Sequence, residues 1–342
     1  MGGFLLNFSG LPRSVTTITP QRISFVGGGT DLPAFFNEQD GGVISSTINQ
    51  FVYVTVKRHS ALFEENYRLS YSITEHTNNL DEIKNGIARE CLRLLNVEPP
   101  LYIATAADLP AGSGLGSSSS FAVGLLHALH LIKGDRVSPA QLAEEACEVE
   151  INKLGNPIGK QDQYAAAFGG LNHFTFQTSG RVIIDPMVLP DDLINTLFTN
   201  SLLIWSGVQR DASVVLKKQN QKLGLQLNKY EQLIRDVEES KNLLITSNQD
   251  FLESFGRLIE KTWATKKSLE DSISTSAIND LHNQIKELGG YGGKLCGAGG
   301  GGFLFEIVPE ELHKKVFALF GAGSLINIAY EPLGSRLLCS VY

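Results

Sequence analysis

The chain has 342 residues, and 34 of them are glycine, where average usage of about 7% would give roughly 24. Its 42% hydrophobic and 19% charged residues suffice for a sizeable core in one large domain or two ordinary ones, which excludes a disordered or collagen-like chain. The formal charge of −7 argues against a general nucleic-acid binder, and no stretch reaches the ~18 apolar residues of a membrane span. The four cysteines form no paired motif, so we expect reduced thiols and a cytoplasmic protein.

The predicted elements begin with strands between residues 23 and 72, clearest at 51–57, where β-branched and aromatic side chains dominate. A helix follows from about 80 to 95, then a buried strand at 101–106 and a helix from 117 to 131. Ser138, Pro139 and Gln141 predict a capped helix that runs to about residue 153.

Beyond residue 190 the composition changes to long polar helices, predicted at about 211–240, 250–270 and 276–288. Strands are predicted at 201–205, 293–296, 303–308 and 325–330, with a helix at 309–320 between the last two. Strands separated by helices in this way predict a ferredoxin-like α+β sandwich. We therefore expect two domains, 1–190 and 191–342.

Fifteen of the 34 glycines fall into three clusters: residues 27–29, positions 112, 114 and 116, and nine positions between 289 and 302. The second cluster lies in LPAGSGLGSSSS at 109–120, here called the serine-glycine loop, between a predicted strand and a predicted helix. Glycines there allow backbone N–H groups and a helix N-terminus to face one anion. The spacing fits neither a Walker A loop nor a dinucleotide fingerprint, and the alternative is a flexible loop with a helix cap.

The third cluster includes KLCGAGGGG at 294–302, here called the C-terminal glycine run, which joins two predicted strands. It is longer in glycine than a hairpin requires. Either something bulky approaches this backbone or the run is a mobile hairpin, and the residues alone leave both possibilities open.

Taken in order, PQRISFVGGGTD at 20–31, the serine-glycine loop and the C-terminal glycine run resemble the three motifs of the GHMP small-molecule kinases. The match covers most of the chain at family-like separations. It implies the GHMP kinase fold, α+β, with an N-terminal domain resembling ribosomal protein S5 domain 2, a ferredoxin-like C-terminal domain and ATP between them. The nucleotide-binding residues it implies are Pro110, Gly112, Ser113, Gly114, Leu115, Gly116, Ser117, Ser118 and Ser119.

The stretch GKQDQYA at 159–165 is similar to the segment that carries the catalytic aspartate in the family's sugar 1-kinases, which implies Asp162 as general base. A carboxylate beside an anomeric hydroxyl can accept its proton as the oxygen attacks the γ-phosphate. Arg22 matches an arginine beside that aspartate in galactokinase-like members, where a guanidinium keeps the carboxylate ionised and stabilises transferring charge. The alternatives are a surface or capping aspartate and a structural ion pair.

Glu150 matches the acidic residue that family kinases use for Mg²⁺. A hydroxyl of Ser118 or Ser119 would be a second ligand, since magnesium takes a few oxygen ligands and keeps some of its waters. Glu148 is the nearby rival, and either carboxylate could simply be solvated.

The substrate is indicated by residues 27–31, where galactokinases carry Gly-Glu-His-Thr-Asp and this chain has Gly-Gly-Gly-Thr-Asp. Two sugar-reading side chains are missing at Gly28 and Gly29, while Thr30 and Asp31 remain as substrate-binding candidates. Together with GKQDQY, this segment most resembles family members that phosphorylate C1 of D-glycero-D-manno-heptose 7-phosphate to the 1,7-bisphosphate.

A phosphorylated substrate calls for cations that the nucleotide does not use. Lys160 and Arg210 are the candidates. The alternative for Lys160 is an ordinary surface lysine, and the alternative for Arg210 is an ion pair with Asp211 at the start of a helix. Gly299 and Gly300 are the remaining substrate-binding candidates, because the C-terminal glycine run is expected to approach the same site.

The resemblance therefore implies an ATP- and Mg²⁺-dependent sugar 1-kinase whose partners are ATP and a small sugar phosphate, with no nucleic-acid or membrane partner. The alternatives are an L-fucokinase-like or galactokinase-like member and, from another class, a non-catalytic sensor of sugar and ATP. The oligomeric state and the anomer preference stay open.

Overall fold

The computed structural model describes residues 10–60, 62–209, 212–246 and 250–342. The strands are β1 Ser14–Val26, β2 Gly41–Arg58, β3 Tyr67–Ser70, β4 Thr74–Thr77, β5 Leu101–Ala107, β6 Leu171–Phe176, β7 Val182–Pro186, β8 Ser201–Trp205, β9 Gly292–Leu295, β10 Phe303–Ile307, β11 Leu325–Asn327 and β12 Arg336–Val341. The helices are α1 Pro33–Phe36, α2 Gly86–Leu95, α3 Ser117–Lys133, α4 Pro139–Cys147, α5 Gln161–Phe168, α6 Asp191–Thr199, α7 Ala212–Lys222, α8 Leu227–Thr246, α9 Phe251–Lys267, α10 Ser276–Glu287 and α11 His313–Phe320.

The first sheet is built around β1 and β2, its two longest strands. Its order is β12-β1-β2-β5-β3-β4, with β6 beside β2 and β7 beside β6. The strand β2 serves two partners in succession, since residues 41–46 pair with β6 and residues 52–58 pair with β5. Val52, Val54 and Val56 are buried while the residues between them are partly exposed, as the period of two in this segment predicts. The helix α3 packs on β1 and β2 and contacts α2, α4 and α5.

The second sheet has the order β11-β8-β10-β9 with every neighbouring pair antiparallel. Helices α7 to α10 connect β8 to β9, and α11 connects β10 to β11. This is the strand–helix–strand–strand–helix–strand pattern of a ferredoxin-like unit. The predicted α+β class is confirmed.

One apolar cluster joins the two sheets. The ring of Phe25 on β1 lies 5.4 Å from Phe305 on β10 and 5.5 Å from Phe255 on α9, measured between ring centroids. All three side chains are fully buried. Because this packing fixes the end of β1 against the second sheet, the segments that follow and flank β1 are held at the boundary between the two.

The helix predicted from about 80 to 95 is a 3₁₀ turn, Leu80–Glu82, followed by α2. The structure differs from the sequence-based elements in three further places. The helix predicted at about 211–240 is two helices, because a 3₁₀ turn at Leu223–Leu225 separates α7 from α8; Gly224 at its centre costs about 1 kcal/mol in a helix. The capped helix continues past α4 as a π-helical segment, Glu148–Lys153. The last strand, β12, returns to pair with β1 in the first sheet, and the boundary near residue 190 stays a prediction.

Within the described ranges, no helix combines the length and the apolar character needed to cross a bilayer.

Candidate active site

The three glycine segments meet at one cleft. It is lined by Arg22, Gly29, Asp31, Leu32, Gly112, Gly114, Gly116, Ser117, Ser118, Ser119, Ile158, Gly159, Gln161, Asp162, Leu216, Gln219, Lys266, Gly297 and Ala298. These residues come from both the N-terminal and the C-terminal half of the chain, so the cleft lies where the two halves join.

The serine-glycine loop and the C-terminal glycine run pack backbone against backbone. A Cβ atom placed on Gly114, whose φ is +82°, would lie 2.6 Å from the carbonyl oxygen of Cys296. One placed on Gly297 would lie 2.8 Å from the Cα of Gly114. The backbone N–H of Phe303 donates to the carbonyl of Ser113 at 3.1 Å. What approaches the glycine run closely is therefore the other loop, and side chains at these positions would push the two apart.

The N-terminus of α3 opens onto the cleft. The helix begins at Ser117 after Gly116, which caps it with φ +79°, and no acidic residue occupies its first turn. Ser117, Ser118 and Ser119 line the cleft wall. Free N–H groups and the positive end of the helix dipole make this an anion-binding position.

Three of the predicted nucleotide-binding residues do not line the cleft. Leu115 is fully buried, and its carbonyl accepts the backbone N–H of Arg22 at 3.0 Å, which ties the loop to β1. Ser113 is also buried. Pro110 is exposed and is not among the residues that line the cleft.

Arg22 and Asp162 form a two-pronged ion pair in the cleft. The Arg22 Nε donates to Asp162 Oδ1 at 2.7 Å and Nη2 donates to Oδ2 at 2.6 Å, while Nη1 donates to the Gly114 carbonyl at 2.8 Å. The arginine side chain is 4% exposed and that of the aspartate 24%. A Cβ on Gly116 would lie 3.3 Å from Asp162 Oδ2, so only backbone separates the carboxylate from the start of α3. Paired in this way, the carboxylate has a fixed orientation, with one edge open to the cleft.

Asp31 also lines the cleft, beside the start of α5. Its carboxylate is buried and accepts the N–H groups of Gly29 at 2.9 Å and Gln161 at 3.3 Å. Burial raises the pKa of Asp31 above its ordinary value, against these two hydrogen bonds, which lower it. The hydroxyl of Thr30 is used inside the turn, donating to the carbonyls of Gly27 and Gly42 at 2.8 Å each. Of the predicted sugar-side residues in this segment, Gly29 and Asp31 line the cleft, and Gly28 and Thr30 do not.

Glu150 is fully buried beside the serine-glycine loop. Its carboxylate accepts Ser118 Oγ at 2.5 Å and Gln163 Nε2 at 2.7 Å. Burial raises the pKa of Glu150, and the side-chain donors, Ser119 included, oppose that shift. No cationic side chain in the described part of the chain lies within ion-pair distance of it.

Glu150 and its rival Glu148 both lie in the π-helical segment but face different directions. Glu148 is at the surface, bonded to Asn152 Nδ2 at 2.5 Å, while Glu150 points inward. A π-helical turn shifts the register of side chains along a helix and is frequent at functional sites.

This donor set fits a divalent cation. A buried carboxylate and serine hydroxyls are oxygen ligands of the kind magnesium takes. Among the described residues there is no group of three or more His, Cys, Asp and Glu side chains that could hold a metal ion by themselves. A cation here would therefore complete its shell with phosphate oxygens and water.

Lys160 does not reach the cleft. Its ammonium donates to the Gly180 carbonyl at 3.0 Å, lies 3.7 Å from Glu144 Oε2 and sits 5.8 Å from the ring centroid of Phe36. It lines a separate depression between α4 and α1. Asp162, in the first turn of α5, lines the cleft instead, whereas Lys160 stands just before the helix begins.

The other substrate-side candidates also lie elsewhere. Gly300 donates its N–H to the Ile273 carbonyl at 2.8 Å, and Gly299 packs on the same residue. Gly297 and Ala298 of the same run line the cleft in their place. Arg210 lies outside the described residues.

Two buried polar residues that the sequence did not single out face the cleft. Lys266 on α9 is 6% exposed and donates to the Gly297 carbonyl at 2.9 Å. Gln219 on α7 is 2% exposed. The helical periodicity could have indicated Lys266, since it follows Ile259 and Thr262 on the buried face of α9. A lysine is rarely buried without a partner or a function.

Comparisons with known proteins bear on the family and the fold. The model of the GHMP kinases N terminal domain matches residues 82–170, and that of the GHMP kinases C terminal matches residues 247–319. The chain is 29% identical over 319 residues to the D-glycero-alpha-D-manno-heptose 7-phosphate kinase of Campylobacter jejuni, covering 90% of this chain and 93% of that protein. It is 26% identical over 333 residues to the L-fucokinase/L-fucose-1-P guanylyltransferase of Bacteroides fragilis, covering 85% of this chain and 34% of that protein.

The fold is shared with solved structures. The crystal structure of a D-glycero-D-manno-heptose 1-phosphate kinase from Bacteroides thetaiotaomicron has a TM-score of 0.71 at 22% identity, covering 96% of this chain and 99% of that one. Both family models match in their order along the chain, and three glycine segments build one cleft between two sheets. The chain therefore has the GHMP kinase fold, with the N-terminal and C-terminal GHMP kinase domains in order.

Proposed function

We propose that this protein is an ATP- and Mg²⁺-dependent sugar kinase that transfers the γ-phosphoryl group of ATP to the C1 hydroxyl of D-glycero-D-manno-heptose 7-phosphate. The observation that carries the proposal is the Arg22–Asp162 pair held against the N-terminus of α3 in one cleft. Similarity to a heptose 7-phosphate kinase over 90% of the chain supports the choice of sugar.

Asp162 is the general base in this proposal. Arg22 occupies one lone pair on each carboxylate oxygen, and a carboxylate has about four such sites. The free edge accepts the proton of the C1 hydroxyl while the sugar oxygen bonds to the γ-phosphorus and ADP leaves. Arg22 orients the carboxylate through these two hydrogen bonds and offsets charge that develops on the transferring group.

The phosphates of ATP are placed on the serine-glycine loop and the first turn of α3. Glu150 and Ser118, with Ser119 behind them, would hold Mg²⁺. When bound, the metal neutralises charge on the phosphate oxygens and favours departure of ADP. The backbone N–H groups after Gly116 hold the same oxygens in line with Asp162.

The adenine ring is placed in an apolar depression next to the loop. This depression includes the side chains of Tyr71 and Phe121 and shares Gly112, Ser117 and Ser118 with the cleft. An apolar wall with a few polar groups is typical of a site for a flat aromatic ligand. Its continuity with the phosphate position supports a single extended nucleotide site.

The sugar is placed between Asp162 and Asp31. Asp31 can accept hydroxyl groups of the sugar, since its oxygens each receive one backbone N–H and keep further lone pairs. Glycine at positions 28 and 29 leaves room on this side, which supports a sugar larger than a hexose.

The test is a panel of sugars and sugar phosphates incubated with ATP and Mg²⁺ and read by mass spectrometry. The expected result is a heptose bisphosphate, with kcat/KM for the heptose 7-phosphate above that for fucose, galactose and hexose phosphates. Product from unphosphorylated fucose or galactose alone would favour an L-fucokinase-like or galactokinase-like enzyme. Absence of phosphorylated product across the panel would favour a sensor of sugar and ATP.

A further inference from the structure

A buried lysine faces the sugar side of the cleft without a carboxylate partner. We propose that Lys266 and Gln219 bind the phosphate group that the sugar substrate already carries, at a position separate from the nucleotide phosphates. This inference rests on the proposed function, because it names the residues that recognise a phosphorylated sugar.

Lys266 has capacity left for an anion. Its ammonium carries three N–H donors, and the structure gives it one acceptor, the Gly297 carbonyl at 2.9 Å. Within the described ranges no Asp or Glu lies within ion-pair distance of it. A charge that is 6% exposed and unpaired is costly unless a ligand compensates it.

The space beside this ammonium is left open by glycine. A Cβ on Gly28 would lie 3.4 Å from Lys266 Nζ and 3.8 Å from Gln161 Nε2. A longer side chain at position 28 would therefore occupy the volume next to the ammonium. Gly28, one of the two residues that distinguish this chain from galactokinases, thus leaves space beside the Lys266 ammonium.

Gln219 supplies the second observation. It lines the cleft, it is 2% exposed, and neither its amide nitrogen nor its oxygen has a hydrogen-bond partner in the described structure. Leaving buried polar atoms unpaired costs about 1–3 kcal/mol each. An amide N–H beside an ammonium is a suitable pair of donors for a phosphate oxygen.

The other cations near the cleft are already engaged. Arg22 is committed to Asp162. Lys294 is buried behind the wall, where its ammonium donates to the Ser24 carbonyl at 2.7 Å, and it is not a cleft-lining residue. Lys160 lies in a separate depression. The nucleotide phosphates have the N-terminus of α3, so Lys266 is the cleft-lining cation, among the described residues, that remains for a second anion.

The test compares Lys266→Met and Gln219→Leu with wild type, and Lys267→Met is the matched control. Lys267 is the next residue on α9, but its ammonium lies over the ring of Trp263 at 5.7 Å. Methionine keeps the length and apolar stem of Lys266, and replacing an unpaired buried charge by an apolar group is often neutral or stabilising. Both cleft variants are therefore expected to fold, which a thermal melt checks.

Steady-state rates are measured with D-glycero-D-manno-heptose 7-phosphate and with the same heptose lacking the phosphate. In Lys266→Met, we expect kcat/KM for the phosphorylated sugar to fall about 10–100-fold more than for the unphosphorylated one, with KM for ATP unchanged. Gln219→Leu is expected to show the same preference with a smaller loss, and Lys267→Met to match wild type. Equal losses on both sugars, or a raised KM for ATP instead, would overturn the assignment.

A binding measurement separates this inference from the proposed function. The melting temperature of wild type and Lys266→Met is recorded with heptose 7-phosphate, mannose 6-phosphate and the unphosphorylated sugars, without ATP. A shift by a sugar phosphate in wild type that Lys266→Met lacks supports the phosphate site, even if turnover shows that heptose 7-phosphate is not the substrate. If heptose 7-phosphate is turned over but both proteins show equal shifts, the function stands and the site assignment fails. No shift with any sugar phosphate also overturns the assignment.

Discussion

Replacing Asp162 with asparagine removes the proposed base while keeping its size. Asparagine can still accept one hydrogen bond from Arg22, but it cannot take a proton from the sugar hydroxyl. Loss of a general base lowers turnover by about 10²–10⁴-fold, which corresponds to about 3–5 kcal/mol of activation free energy. Arg22, at 4% exposure, also loses its countercharge; because the aspartate is partly exposed, we expect this to cost about 1–3 kcal/mol of folding stability.

The assay is ADP release at saturating substrates, together with calorimetric binding of ADP and Mg²⁺. For Asp162→Asn we expect kcat and kcat/KM to fall together, with nucleotide affinity unchanged, since the interaction acts in the transition state. Arg22→Met/Asp162→Asn is expected to be no slower than the slower single variant, because the two residues act as one unit. Asp192→Asn, a surface aspartate at the start of α6, is the control. A loss of less than about tenfold in Asp162→Asn would refute the base assignment.

Three further predictions concern the metal site, a glycine of the serine-glycine loop and a buried ion pair. Glu150→Gln and Ser118→Ala should each raise the Mg²⁺ concentration needed for half-maximal activity, by about 10–100-fold, and an unchanged metal titration would remove them from the metal site. Gly114→Ala should lower the free energy of unfolding by at least about 1–2 kcal/mol, because Gly114 has a positive φ, and should raise KM for ATP. An unchanged urea midpoint would contradict the close backbone contact. His282 Nδ1 lies 2.7 Å from Glu306 Oε1: burial lowers the pKa of His282, but neighbouring glutamates outweigh this and raise it above its ordinary value. The stability that protonation of His282 contributes is therefore full below about pH 6.5 and is lost as pH rises through the raised pKa. Burial also raises the pKa of Glu306, so ionisation of this carboxyl lowers stability in the same direction as pH rises. Urea unfolding should show the decline in wild type, and its persistence in His282→Leu/Glu306→Leu would contradict this reasoning.

The glycine segments were predictable because the backbone contacts themselves require glycine. At Gly114 and Gly297 no other residue fits between the two loops without displacing one of them. The glycines at such positions can be recognised in the sequence without knowledge of the rest of the fold. The resemblance in motif order then placed Arg22 and Asp162 in one site, and the structure brings them within hydrogen-bond distance.

For Lys266 and Lys160, the sequence did not predict which of the two side chains lies in the cleft. Lys160 stands two residues from Asp162, just before α5, yet its side chain lines another depression. Lys266 is more than a hundred residues from Asp162 in sequence and reaches the cleft because α9 packs beside β9. Whether a lysine on an amphipathic helix faces solvent or a site depends on how the helix is rotated against its neighbours, which local pattern does not determine.

The pairing of β12 with β1 was likewise not predictable from local sequence. The pair Ser14 and Val341 joins two ends of the chain, and nothing in the local sequence of either strand specifies a partner so distant. The break between α7 and α8 at Gly224 was, in contrast, readable from a glycine in a polar helical segment.

The central claim is transfer of a phosphoryl group to the C1 oxygen of a heptose 7-phosphate. Its most direct test is ³¹P NMR of the reaction of the wild-type protein with ATP, Mg²⁺ and D-glycero-D-manno-heptose 7-phosphate. We predict a new phosphate signal coupled to the anomeric proton, retention of the 7-phosphate signal and ADP in equal amount. ADP without a new sugar phosphate signal, or a new phosphate coupled to any other proton of the sugar, would contradict the claim.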